Sequence, residues 1–235
     1  LIDYFGGQKD LREKVVRVLH NLSFVEDPTR VFRAIRFEQR FGFSIGKLTL
    51  SLIKNAVEID CFRDLSGRRL YMEIRLLLME NNPIRSIKRM NELNLLPLIS
   101  PEMKYTGEMK NILDGIHAVI AWFDLLYLEE PYEPWKVFWY GLTSSLDAKA
   151  LRNLQVRMMM NDMDSRKMIS QRLAANEVLD RLFKMDMEDH FDVYTLLSQY
   201  DTEILLFLMA KANNEKTRKL ISNYFTRLKL SLIHI

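Results

Sequence analysis

The sequence predicts an all-α fold, and three observations carry that prediction. Only 8 glycines and 6 prolines punctuate the 235 residues, and long stretches contain neither. Apolar side chains recur with the three- and four-residue spacing of a helix face along most of the chain. After residue 20 there is no two-residue alternation of the kind a half-buried strand shows, and no repeat of fixed length.

The elements follow in order. Asp3-Tyr4-Phe5-Gly6-Gly7 suits a tight bend. Residues 11–20 place Val15, Val16, Val18 and Leu19 among charges, a pattern that can build a strand or a short helix. Asp27-Pro28 marks a helix start, a capping oxygen followed by proline at the first helical position. That helix is expected to run to Phe41, where Gly42 ends it. Helices are expected next at 47–59, 68–81 and 83–96, with Pro83 in a first turn and Pro97 just past an end. Longer amphipathic helices are expected at 108–128, 134–146, 148–159, 163–184, 189–198 and 201–227.

Composition narrows the function classes. With 48% hydrophobic and 28% charged residues, the chain can bury a core and stay soluble. A formal charge of +3 permits a nucleic-acid partner without demanding one, because clustering matters more than the total. A lone Cys61 excludes an internal disulfide and a cysteine-based zinc site, and suits a reducing cytoplasm. His20, His117, His190 and His234 lack metal-ligand spacing, and no apolar run reaches the roughly 18–20 residues of a membrane span. Leu1-Ile2-Asp3 shows neither an initiator Met nor a signal pattern, so the chain is expected to begin inside a longer protein. Residues 230–235 read as a non-native tail.

The most informative stretch runs from Ser23 to Arg40. At about 100° per residue, Arg33, Arg36 and Arg40 share one helix face with Arg30 beside them, while Val31, Phe32 and Ile35 form the back. Guanidiniums offer planar forks of donors suited to phosphates or base edges. Glu26 and Asp27 add acceptors at the helix start, so an Asp and an Arg together can read a mixed donor–acceptor edge. The plain alternative is a solvated charged face, with Asp27 a simple cap and Arg30 its ion-pair partner. A carboxylate used as a cap has less capacity left for a base.

Phe24-Val25-Glu26-Asp27-Pro28-Thr29-Arg30, continued by Arg33-Ala34-Ile35-Arg36-Phe37, resembles motif D of class II tRNA nucleotidyltransferases and bacterial poly(A) polymerases. Upstream, Asp3-Tyr4-Phe5-Gly6-Gly7-Gln8-Lys9-Asp10-Leu11 resembles motif C, with Tyr4 where many members carry proline. Downstream, Leu65 to Glu73 resembles motif E, with Arg69 and Glu73 at its Arg and Glu and Arg68 at a commonly acidic position. The resemblance is sharp over residues 1–100 and loose beyond, where Glu130-Pro131 and Glu133-Pro134-Trp135 suit the helical body of some bacterial members.

The resemblance implies an all-α neck and body with at most a remnant of an α/β catalytic head. Residues 1–22 would end the head, 23–100 form the nucleotide-selecting neck and 101–229 the RNA-binding body. Asp27 and Arg30 would pair with the incoming base of CTP or ATP, Glu26 would brace them, and Arg33 and Arg36 would reach nucleotide or RNA. Arg69 and Glu73 would support the turn carrying motif D, and Asp10 and Gly7 the head–neck junction. Arg40, Arg152, Arg157 and Lys167 are candidate contacts to RNA phosphates, with solvated helix faces as the alternative.

The family adds nucleotides to the 3′ end of tRNA or other RNA with two Mg2+ ions held by carboxylates of the head. Asp162-Met163-Asp164 has a suitable spacing but no glycine loop or strand before it, so the chain alone is expected to hold no metal and to be inactive. CCA, A-only and poly(A) addition share these motifs. Phe32 and Gln39 fit a subgroup some of whose members add only the terminal A. The rival readings are a helical RNA- or protein-binding module without catalysis and a helical phosphohydrolase, for which Asp189-His190 stands in reverse order. The three Trp residues and Met158-Met159-Met160 read as core filling.

Overall fold

The computed structural model describes residues 3–229, so the tail expected at 230–235 lies outside the described residues. The chain folds as two units. The first holds residues up to Tyr105 together with Ser145–Met160, and the second holds Thr106–Ser144 together with the residues from Asn161 on. The sequence reading cut the chain once, near residue 100. In the structure residues 145–160 group with the first unit, and Gly67 is where their backbone comes close. A Cβ there would fall 1.5 Å from the Arg157 carbonyl oxygen, so only glycine admits the close approach of these two backbones.

In the first unit, α1 (Gly7–Glu13) begins where the Asp3 carboxylate accepts from the amides of Gly7 and Gln8 at 2.9 and 2.8 Å. Those amides, Gln8 first, hold the Asp3 carboxyl below its ordinary value. Gly6 takes positive φ to make the bend. β1 (Val15–Val16) pairs in parallel with β2 (Ser44–Ile45), Val15 opposite Ser44. Between them lie a helical turn, α2 (Ser23–Glu26), and α3 (Thr29–Phe41), which ends at Gly42 with φ of 63°. The other helices of the unit are α4 (Lys47–Glu58), α5 (Gly67–Leu78), α6 (Pro83–Glu92), α7 (Leu96–Ile99) and, in the returning segment, α10 (Ala148–Arg157).

The expected helix 83–96 breaks at Asn94, which adopts φ of 55° while the Leu95 amide closes onto Met90 O at 2.9 Å. Asparagine tolerates this left-handed position better than most residues and so ends the helix. Val31, Phe32 and Ile35 of α3 are buried with Leu70, Ile74 and Leu77 of α5 in the core of the unit. This gives α3 the apolar back its sequence spacing implied.

The second unit contains α8 (Gly107–Asp124), α9 (Pro134–Leu142), α11 (Met163–Lys184), α12 (His190–Leu197), α13 (Thr202–Lys211) and α14 (Glu215–Asn223), closed by a π-helical turn at Tyr224–Leu228. The single helix expected at 201–227 divides because Asn214 caps a new start, its side chain accepting from Thr217 N at 2.7 Å. Trp139, Tyr140 and Phe207 are fully buried, and Tyr140 and Phe207 lie 5.7 Å apart. Beside them Arg172 is buried and donates to Thr143 O and Ser144 O at 3.0 and 2.9 Å, capping the end of α9. Burial pulls its guanidinium down to about 10. Among the described residues, no helix is long and apolar enough to cross a membrane.

Candidate nucleotide-selecting site

The site is built on the start of α3. Asp27 is extended, with φ of −146°, and its Oδ1 accepts from the amide and hydroxyl of Thr29 at 3.1 and 2.5 Å. Its Oδ2 lies 2.9 Å from Arg69 Nη2 on α5. Burial pushes the Asp27 carboxyl up, but the two Thr29 donors and Arg69 outweigh it and leave it below its ordinary value. Asp27 is thus both a cap and an ion-pair partner, and both of its oxygens are engaged.

Arg30 folds back over α2. Its Nη1 donates to Ser23 O and Ser23 Oγ at 3.2 and 3.0 Å, and lies 3.5 Å from Glu26 Oε2. Glu26 also faces His20 Nε2 at 3.4 Å. Arg33 donates through Nε to Glu73 Oε1 of α5 at 2.7 Å, and that carboxylate holds its guanidinium above the ordinary arginine value. Glu73 is nearly buried, and its Oε2 has no hydrogen-bond partner among the described residues. Arg40 forms a two-bond fork with Glu80 at 2.8 and 2.6 Å. Glu38, on the same helix, accepts from Arg89 of α6 at 2.8 and 3.2 Å and from Ile45 N at 3.2 Å. Arg36 is half-buried, its Nε without a partner among the described residues and its guanidinium 5.4 Å from the Phe37 ring centre.

A cleft of about 360 Å³ opens beside this helix. Arg30 and Arg33 line it together with Arg17, His20, Ser23 and Phe37. The other predicted residues do not share its wall. Asp27 and Arg69 pair behind the helix start, and Asp10 binds Arg17 from α1. Arg17 and His20 were missed by sequence reasoning because they follow β1, whose two residues are too few to show a strand period. Its contact with β2 is what brings them to α3. Guanidiniums, an imidazole and an aromatic ring around a cleft of this size suit a flat heterocycle carrying phosphates.

The RNA candidates scatter. Arg152 and Arg157 group with the first unit, and Arg157 donates to Ile99 O at 3.2 Å. Lys167 of the second unit pairs with Asp201 at 2.5 Å. Asp162 caps α11 through Ser165, and Asp164 binds Lys136 at 2.8 Å.

The chain is similar in sequence and fold to known proteins. A family profile described as the probable RNA- and SrmB-binding site of polymerase A matches residues 42–106. An A-adding tRNA nucleotidyltransferase of Geobacter sulfurreducens is 44% identical across the whole chain, which covers 27% of that protein. The chain belongs to the class II tRNA nucleotidyltransferase and poly(A) polymerase family. An A-adding tRNA nucleotidyltransferase of Aquifex aeolicus is 29% identical over 98% of the chain and 28% of its own length. The chain therefore spans about a quarter of the length of these curated relatives. A solved CCA-adding enzyme in complex with ATP superposes with a TM-score of 0.80 at 30% identity, over all of this chain and 55% of that one. Of the Glu26-Asp27 and Arg30 string, only Arg30 lines the cleft.

Proposed function

We propose that the protein to which this chain belongs is a template-independent RNA nucleotidyltransferase that adds A, or C and A, to the 3′ end of tRNA from ATP and CTP. The observation that carries this reading is the placement of Arg30 and Arg33 on one cleft wall beside Asp27, in a chain 44% identical to an A-adding enzyme. The 44% identity to an A-adding enzyme, against 30% to a CCA-adding enzyme matched over the whole chain, favours A addition over full CCA synthesis. Poly(A) synthesis is the second reading, favoured by the polymerase A segment at 42–106.

The geometry suggests how selection works. Arg33 is anchored through Nε alone, and its Nη groups make no hydrogen bond among the described residues, so they can donate to a base or a phosphate. Asp27 Oδ2 has one close donor, Arg69, and accepts from a base amino group either beside that donor or in exchange for it. Either way the carboxylate stays satisfied, and bases whose edge offers the wrong donor pattern are disfavoured. Glu73 and Arg69 act through Arg33 and Asp27 as positioning residues. Lys167 and the basic faces of the second unit would hold RNA through phosphates.

Magnesium would be held outside these residues. Among the described residues no three His, Cys, Asp or Glu side chains are grouped to hold a metal ion, and Asp162 and Asp164 are engaged in a cap and an ion pair. On this reading the 235-residue chain alone incorporates no nucleotide, and the lone Cys61 supports a protein of the reducing cytoplasm. The test uses the intact enzyme. Asp27→Ala should relax discrimination between ATP and GTP while leaving tRNA affinity unchanged. An unaltered ATP-to-GTP ratio would overturn the assignment.

A further inference from the structure

A second groove, of about 400 Å³, lies in the second unit on residues that the motif reading did not use. One wall is a stripe of α11, namely Asn176, Leu179, Asp180 and Phe183, at the spacing of a single helix face. The other wall is the junction between α13 and α14. There the Lys211 ammonium donates to Asn176 Oδ1 at 2.7 Å. Burial, and then the charge of Arg172, hold that ammonium below its ordinary value. α14 begins here, with Asn214 capping it.

Thr217 lines the same groove at 1% exposure, and its Oγ1 has no hydrogen-bond partner among the described residues. A buried hydroxyl left without a partner is destabilising, and at this groove wall it is a donor that a ligand oxygen could satisfy after a small side-chain rotation. At the other end, Asp180 is exposed without a cationic partner among the described residues, and the Phe183 ring is 60% exposed.

These ends differ in chemistry. An ammonium, a helix N-terminus and a hydroxyl favour a phosphate. An unpaired carboxylate beside them disfavours a bare anion but accepts from sugar hydroxyls or a base amino group. The Phe183 ring, with the Lys216 ammonium 5.8 Å from its centre, remains mostly exposed and offers a stacking face beside that cation. We propose that this groove binds one nucleoside monophosphate unit, its phosphate held by Lys211, Thr217 and the start of α14, and its sugar and base against Asp180 and Phe183. The unit is either a nucleotide of an RNA strand or a free nucleotide. The site shares no residue with α3, so its failure leaves the base-selection reading standing.

The test is an amide NMR titration of the 235-residue chain with three probes: CMP, a short single-stranded RNA and inorganic phosphate. Saturable shifts at Asn213, Asn214 and Thr217 are expected with CMP or with RNA. A response to RNA alone identifies the strand as the source, and an equal response to CMP identifies the free nucleotide. Lys211→Met should weaken binding about ten-fold and Thr217→Val about three-fold. Phe183→Ala, at an exposed ring that the fold does not need, should weaken CMP binding without changing the response to inorganic phosphate. The proposal is overturned by the absence of shifts with both nucleotide probes. It is equally overturned if inorganic phosphate reproduces the CMP response and Phe183→Ala leaves it unchanged.

Discussion

The first unit fixes α3 with carboxylate–guanidinium pairs that reach far along the chain, Arg33 to Glu73, Arg40 to Glu80 and Glu38 to Arg89. The second unit closes around Trp139, Tyr140 and Phe207, and the cation at its centre, Arg172, caps carbonyls and has no carboxylate partner among the described residues. Ion pairs need one residue type at one position, because donors and acceptors must meet in direction as well as distance. Apolar packing accepts exchanges of similar volume. The first unit therefore carries readable motifs, and the second carries mainly an apolar pattern.

Four measurements would break or sharpen this contrast. The largest effect is expected from Trp139→Ala, a fully buried ring in the second unit, at about 4 kcal/mol of stability in chemical denaturation. That loss should be the same at about 0.1 M and about 1 M salt. A strong salt dependence would show that charge also organises the second unit. Arg89→Leu comes next, because it leaves the buried Glu38 carboxylate with its backbone donor but no cation, and about 3 kcal/mol should be lost. A loss below about 0.5 kcal/mol would mean that α3 is held by its apolar back alone.

Arg33→Ala should cost somewhat less, about 2 kcal/mol: that guanidinium is half exposed and screened by water, but its loss leaves the buried Glu73 carboxylate without a donor among the described residues. Its main effect should fall on nucleotide affinity in the intact enzyme. The smallest effect concerns acid. The folded Asp27 carboxyl lies below its ordinary value, so its contribution is complete above about pH 4 and is lost as pH falls towards the depressed value. Asp27→Asn should flatten the stability curve across that window. An unchanged slope would separate Asp27 from the ion-pair network.

Much of this was legible in the sequence. The helix at Asp27-Pro28, its apolar back and its end at Gly42 all follow from capping chemistry and period, and α11 spans Met163–Lys184 as the pattern implied. What periodicity could not show were events set by single residues or by partners distant in sequence. Asn94 stops a helix by adopting positive φ, and Asn214 starts one by offering a side-chain oxygen. β1 and β2 have two residues each, too few for an alternating pattern, so the cleft residues Arg17 and His20 stayed hidden. The occupied state of Asp27 depends on Arg69, 42 positions later, which local spacing does not report.

The contact between Gly67 and the Arg157 backbone has a kinetic consequence. The first unit cannot finish folding until α10 has been made, some ninety residues after the glycine that receives it. On a ribosome emitting about 5–20 residues per second, the segment up to Tyr105 waits several seconds with that surface open. Closure over such a sequence separation slows folding in proportion to the loop entropy it must overcome. The chain leaves the first unit, returns and leaves again, so a truncation near residue 100 would create an aggregation-prone species instead of a free-standing domain.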